Sequence, residues 1–245
     1  MVRRYGGSAR VKDYAVSLKS CYNLPHVVGE QYILTSVLEE REDSVIYAAT
    51  QKDMQREVKV ESLRPEAEDD EQKCRLFLDN ARARVRCSVT PHIAATLELL
   101  YAEGTWHLAE ERIKGEPLDM MLANGRVLSG CMFCLLLLRL CRACMLMDAE
   151  GLASRPFSPA HVYLTETDFR FDNPAVSGPR ANGTSRQYLR SAAQSIAPLL
   201  DPTAPGADRL AELVTRMRCA ADSGPLCVLG FDEEVVRLQM SIAEE

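Results

Sequence analysis

The chain has 245 residues, 47% of them hydrophobic and 26% charged, with a formal net charge of −6. That length supports a substantial core, and the composition is too polar for a bundle of membrane helices. The acidic balance offers no general basic field to a phosphate backbone, and no local basic patch replaces it, so no nucleic-acid partner is expected.

Residues 1–28 show no clear hydrophobic period and contain Gly6, Gly7 and Pro25, which marks them as an N-terminal extension. Their Arg3-Arg4 pair is not followed by an apolar segment, so they lack the anatomy of a secretory signal, and a cytoplasmic location is expected. From Tyr32 three β-rich pieces follow, YILTSVL, SVIYAAT and EVKVESL, separated by polar turns, and these predict an antiparallel meander. The stretch PEAEDDEQKCRLFLDNARARV, starting at Pro65, opens with acids and then carries apolar residues at helical spacing; its negative charges fall at the positive end of the helix dipole. Two further strands are expected within HIAATLELLY and TWHLAEERI. A linker near Glu111–Glu116 then separates this sheet-rich part, residues 29–113, from a shortened helical part, residues 114–245. The order predicts an α+β fold of two lobes with a cleft.

In the second part a short helix is predicted over Leu118–Asn124, followed by an apolar run from Cys131 to Met147. Arg139 and Arg142 interrupt that run, which is shorter than the ~20 residues of a membrane span, so it reads as a buried helix and no span is expected. Its two C-x-x-C pairs, Cys131/Cys134 and Cys141/Cys144, suggest zinc only if a turn separates them. On one continuous helix the pairs lie about 15 Å apart, beyond the reach of a tetrahedral ion. Nine cysteines, most of them in apolar helical sequence, fit reduced buried thiols better than a disulfide framework, and the Asn182-Gly183-Thr184 sequon then carries no implication. His26, His92 and His107 have no supporting cluster and read as surface or edge residues.

Three segments in correct order resemble the protein kinase domain of the bacterial Ser/Thr kind, over roughly residues 30–200. SVIYAA resembles its second strand, EERIKGEPL its hinge pattern E-x-x-x-G-x-x-L, and GLASRPFSPAHVYL its catalytic-loop segment, with Gly115, Leu118, Gly151, Arg155, Pro159 and Leu164 at family positions. The resemblance implies a protein-kinase-like two-lobed fold, with a small antiparallel N-lobe sheet holding one helix and an abbreviated helical C-lobe.

It also implies a degenerate site. Phosphoryl transfer in this family relies on a glycine loop over the phosphates, a strand lysine paired with a helix glutamate, two metal-binding residues and a catalytic base. The glycine positions fall here on Glu39, Arg41 and Ser44, the strand lysine on Glu61 and its helix partner on Asn80. The base position is Pro156, one metal position is His161, and the other is Asn173, or Asp172 if the preceding loop is one residue longer. Lys59 stands at the alanine that roofs the adenine in the family and Tyr163 at the leucine beneath it, which implies an occluded nucleotide site. Strand alternation puts Lys59 and Glu61 on one face and suggests that they pair with each other. His161 and Asp172 together are too few donors for a metal site.

After Asn173 the segment NPAVSGPRANGTSRQ is too short for a full activation segment, and Tyr188 replaces the acid that opens the next family helix. ADRLAELVTRMRCAA, from Ala207, predicts a further helix. The expectation is therefore a catalytically inactive pseudokinase with no cofactor and no metal, acting on a protein partner as a scaffolding or regulatory module. The alternative is a small-molecule sensor, or an enzyme with repurposed cleft chemistry.

Overall fold

The computed structural model describes residues 2–4, 22–177, 184–219 and 226–244. Most of the N-terminal extension, the Asn182 sequon and part of the segment after Asn173 lie outside the described residues. The chain divides into two compact units, Met1–Val85 with Ala95–Arg112, and Arg86–Ala94 with Ile113–Glu245.

The first unit holds β1 (Val2–Arg4), β2 (His26–Val28), β3 (Tyr32–Glu40), β4 (Ser44–Gln51), β5 (Arg56–Leu63), α1 (Pro65–Glu68), most of α2 (Glu71–Cys87), β6 (Thr96–Ala102) and β7 (Thr105–Glu111). Its seven strands run in the order β1-β6-β7-β5-β4-β3-β2, and every pair is antiparallel except β1 with β6. His26–Val28, placed in the extension by the sequence, is the last strand of this sheet.

Alternation along β5 divides the unit into two cores. Val58 and Val60 join Tyr32, Leu34, Val45, Tyr47, Leu100 and Ala109 on one face. Leu63 turns to the other face, where it packs with Phe77 and Ala81 of α2 and with Trp106 and Leu108. The sheet curls around the first of these cores, so that Tyr32 of β3 donates a hydrogen bond to Glu98 of β6. At Gly29 (φ +56°) a Cβ would lie 2.4 Å from Leu100 Cδ1, a conformation and a clearance that suit glycine.

The acidic stretch forms two helices. Asp70 interrupts it, and the Asp70 carboxylate accepts the backbone N–H groups of Gln72 and Lys73, capping α2. His107 is fully buried in β7, contrary to the surface reading. Its Nδ1 lies 2.8 Å from Ser62 Oγ and its Nε2 3.1 Å from Ala102 O, so a neutral ring has both nitrogens bonded. His92 is buried as well.

The second unit contains β8 (Glu116–Pro117), α3 (Leu118–Ala123), α4 (Gly130–Ala149), β9 (Ala153–Ser154), β10 (Val162–Leu164), β11 (Phe169–Phe171), β12 (Ala175–Val176), α5 (Ser185–Ile196), α6 (Ala207–Cys219) and α7 (Leu226–Glu244). The short strands make a three-stranded sheet, β11-β10-β8, and a β12-β9 pair. The apolar run is α4, one continuous helix capped by Ser129 and packed against α5 and α7. It is long and apolar enough to cross a membrane, yet its apolar residues line the interior of this unit. Cys134, Cys141 and Cys144 are buried there, while Cys131 is exposed. Tyr188 sits inside α5 and packs edge-on against Phe157, with ring centroids 5.3 Å apart.

Gly115 and Leu164, two of the family positions, meet directly: a Cβ on Gly115 would lie 2.6 Å from the Leu164 carbonyl oxygen. Because the obstacle is backbone, Gly115→Ala should destabilise the protein by about 1–3 kcal/mol, measured by urea unfolding.

Candidate functional site

Glu61 lies on the α2-facing side of β5 and is 7% exposed. Its Oε1 accepts Ser44 Oγ at 2.8 Å and Arg41 Nη1 at 3.2 Å, and its Oε2 accepts Arg84 Nη1 at 2.7 Å. Arg84 Nη1 also reaches Glu110 Oε2 on β7 at 3.2 Å. Arg41, in the β3–β4 turn, forks onto Glu39 through Nε (2.8 Å) and Nη2 (3.0 Å). Four of the singled-out residues, Glu39, Arg41, Ser44 and Glu61, therefore form one ionic cluster, completed by Arg84 and Glu110.

Two sequence expectations change here. The helix partner of Glu61 is Arg84, one turn beyond the half-buried Asn80. Glu61 is bonded to Arg41, Ser44 and Arg84 rather than to Lys59, which lies half-buried in register with Ala48 and Glu110. Alternation places Lys59 and Glu61 on one face, but three donors from neighbouring elements meet the carboxylate first. The sequence did hold a signal for Arg84, since with Phe77 and Ala81 it continues the i, i+4, i+7 stripe that α2 buries. A cation on a buried stripe needs an acid opposite it.

The electrostatics follow from burial. Desolvation alone would push the Glu61 carboxyl up, but the guanidiniums of Arg84 and Arg41, with their hydrogen bonds, hold it at about 2. Burial works against the charge on Arg41 too, and Glu39 and Glu61 more than offset it, so its pKa is raised.

The remaining residues belong to the second unit. Asp172 is 6% exposed, and its Oδ2 lies 3.1 Å from His161 Nδ1 and accepts the Tyr163 hydroxyl at 3.3 Å. Burial and then the Asp172 charge raise the Tyr163 pKa. Asn173 turns away: its Nδ2 donates to Ser88 Oγ at 3.3 Å and its Oδ1 accepts the Ala175 N–H. Pro156 is exposed beside Arg155, whose N–H donates to Pro174 O. Among the described residues no group of three or more His, Cys, Asp or Glu side chains is placed to hold a metal ion.

No protein-family model and no curated protein matches the sequence. Solved structures do match in fold. The crystal structure of the Mycobacterium tuberculosis PknI kinase domain is 15% identical, with a TM-score of 0.62, over 89% of this chain and 99% of that one. A second crystal structure of that domain gives 16% identity and a TM-score of 0.63 over 89% and 98% of the two chains. A double mutant of it gives 16% and 0.62 over 91% and 99%. The chain thus has a protein-kinase-like α+β fold, with an antiparallel sheet and one main helix in its first unit and a helical second unit.

Replacing one member of a buried ion pair strands the other. Arg84→Met should cost about 3–5 kcal/mol in urea unfolding, and Glu61→Met together with Arg84→Met should recover only part of that loss, because Glu110 still lacks Arg84.

Acid should act in two stages. Burial pushes His107 from 6.5 down to about 4, so its contribution is complete above pH 6.5 and is lost as pH falls through 4. Glu61, lowered from 4.5 to about 2, contributes fully above pH 4.5 and loses that contribution as pH falls toward 2. Stability measured against pH should therefore flatten only below pH 4.5 in Glu61→Gln, while His107→Gln should remove part of the slope between pH 6.5 and 4, the rest belonging to His92, which burial also lowers to about 4.

Proposed function

We propose that this chain is a catalytically inactive pseudokinase of bacterial type that works in the cytoplasm by binding a protein partner, as a scaffolding or regulatory module. The observation that carries this reading is the Glu61 cluster. Where the kinase resemblance calls for a strand lysine on the nucleotide phosphates, this chain has a buried carboxylate already bonded to Arg84, Arg41 and Ser44. A triphosphate brought to it would meet like charge. The remaining replacements argue the same way. Pro156 carries no group able to take a proton, and Asp172 is engaged by His161 and Tyr163.

Thermal unfolding should be unchanged by millimolar ATP with magnesium. A ligand at 100 times its dissociation constant adds about 2.7 kcal/mol of stability, so a rise of several degrees would overturn the reading.

Restoring family residues with Glu61→Lys, Pro156→Asp, His161→Asn and Asn173→Asp should yield no transfer of radiolabelled phosphate in a variant shown to be folded by circular dichroism. The new lysine would face Arg84 and Arg41 across bonds now made by a carboxylate, while Glu39, Arg41 and Ser44 would still stand at the glycine positions. Phosphotransfer by that variant would show the site to be open.

A further inference from the structure

A lysine–glutamate pair between the third kinase strand and the N-lobe helix serves catalysis only when the helix is brought into place. In this chain the polarity is reversed: the acid is on the strand and the cation on the helix. A third party, Arg41, is delivered to the same carboxylate by the β3–β4 turn. The side chains of Glu61 and Arg84 are each 8% exposed and that of Arg41 28%, so these contacts are shielded from the water that weakens surface pairs.

We propose that Arg41, Glu61 and Arg84 form a ligand-independent clamp in which the Arg41 guanidinium acts as a built-in ligand, coupling the β3–β4 turn to α2 through one shared carboxylate. Its parts differ in replaceability. The turn backbone has its own support, since the Arg64 N–H donates to Asp43 O at 2.8 Å and Arg64 Nε to Arg41 O at 3.1 Å. The Lys73–Asp43 pair between α2 and the turn is 2.6 Å long, but its side chains are 40% and 38% exposed, so it adds little. Glu61 is thus the buried point at which turn and helix meet. Loss of Arg41 leaves Arg84 as its single cation, and loss of Arg84 leaves Arg41 alone.

Coupling through one carboxylate is reciprocal. The clamp therefore holds α2 in one position without nucleotide, phosphorylation or a partner, as suits a module whose shape is its function. The inference deepens the non-catalytic reading and rests on it only in taking the site as unliganded.

The test is amide hydrogen exchange on the whole chain, comparing wild type with Arg41→Ala and Arg84→Met. Arg41→Ala should speed exchange along α2, 77–85, by about tenfold or more although no hydrogen bond or ion pair joins Arg41 to that helix, and Arg84→Met should do the same in 38–45. The α4 amides, 133–145, should be unaffected and serve as the control for global unfolding. Methylguanidinium at tens of millimolar should return α2 protection to Arg41→Ala, while the same concentration of sodium chloride should not. Strictly local exchange effects, or no rescue by methylguanidinium, would overturn the clamp. ATP binding by wild type, measured separately, would overturn the functional reading and leave the exchange result intact. If Arg84→Met fails to fold, Arg84→Ala takes its place: faster exchange in 38–45 with α4 unaffected supports the clamp, and unchanged exchange there overturns it.

Discussion

A carboxylate enclosed by a sheet and a helix cannot remain ionised without cations, and cannot keep cations unless the elements carrying them stay in place. Glu61 sets that condition for the first unit. Its two oxygens take bonds from Ser44 on β4, Arg41 in the turn and Arg84 on α2, and through Arg84 the cluster reaches Glu110 on β7. Hydrophobic contact on the same face, with Leu63, Phe77, Ala81 and Leu108, brings helix and sheet together. The ionic contacts add a directional demand, since a buried charge that loses its partner costs several kcal/mol.

The second unit handles its own buried acid in a quieter way. Asp172 is surrounded by His161 and Tyr163, whose shared acceptor is one carboxylate oxygen, and the neighbouring Asn173 is turned to Ser88. Asp172 and Asn173 both stand at positions that the kinase resemblance assigns to metal binding, and both are hydrogen-bonded to protein. Gly115 packs against Leu164, and α4 forms the apolar centre of the same unit.

How much of this was legible beforehand differs by element. The strands at Tyr32–Glu40, Ser44–Gln51 and Arg56–Leu63 were clear because β-branched residues and polar turns alternate over short stretches. The helix at Gly130–Ala149 was clear because its apolar run has no turn former. The split of the acidic helix at Asp70 was missed, as capping and continuation use the same acids. His107 was misread because a neutral imidazole in a core leaves no local trace; its partners are Ser62, 45 positions away, and the Ala102 carbonyl.

The sequence by itself determined which residue types stand at the positions that resemble a kinase's working parts: carboxylate for lysine at Glu61, proline for the base at Pro156, and Glu39, Arg41 and Ser44 for glycines. Those are facts of identity and order, carried by the chain before it folds. Which groups meet was decided only by tertiary structure. Strand alternation allowed Lys59 as the partner of Glu61, and the kinase resemblance placed Asn80 at the helix position; the structure brought Arg84 and Arg41 instead. The reason is that a charge pair depends on the angle at which a helix crosses a sheet and on the reach of a turn. Both are set by packing among residues far apart in the chain, and neither leaves a period or a motif in the sequence.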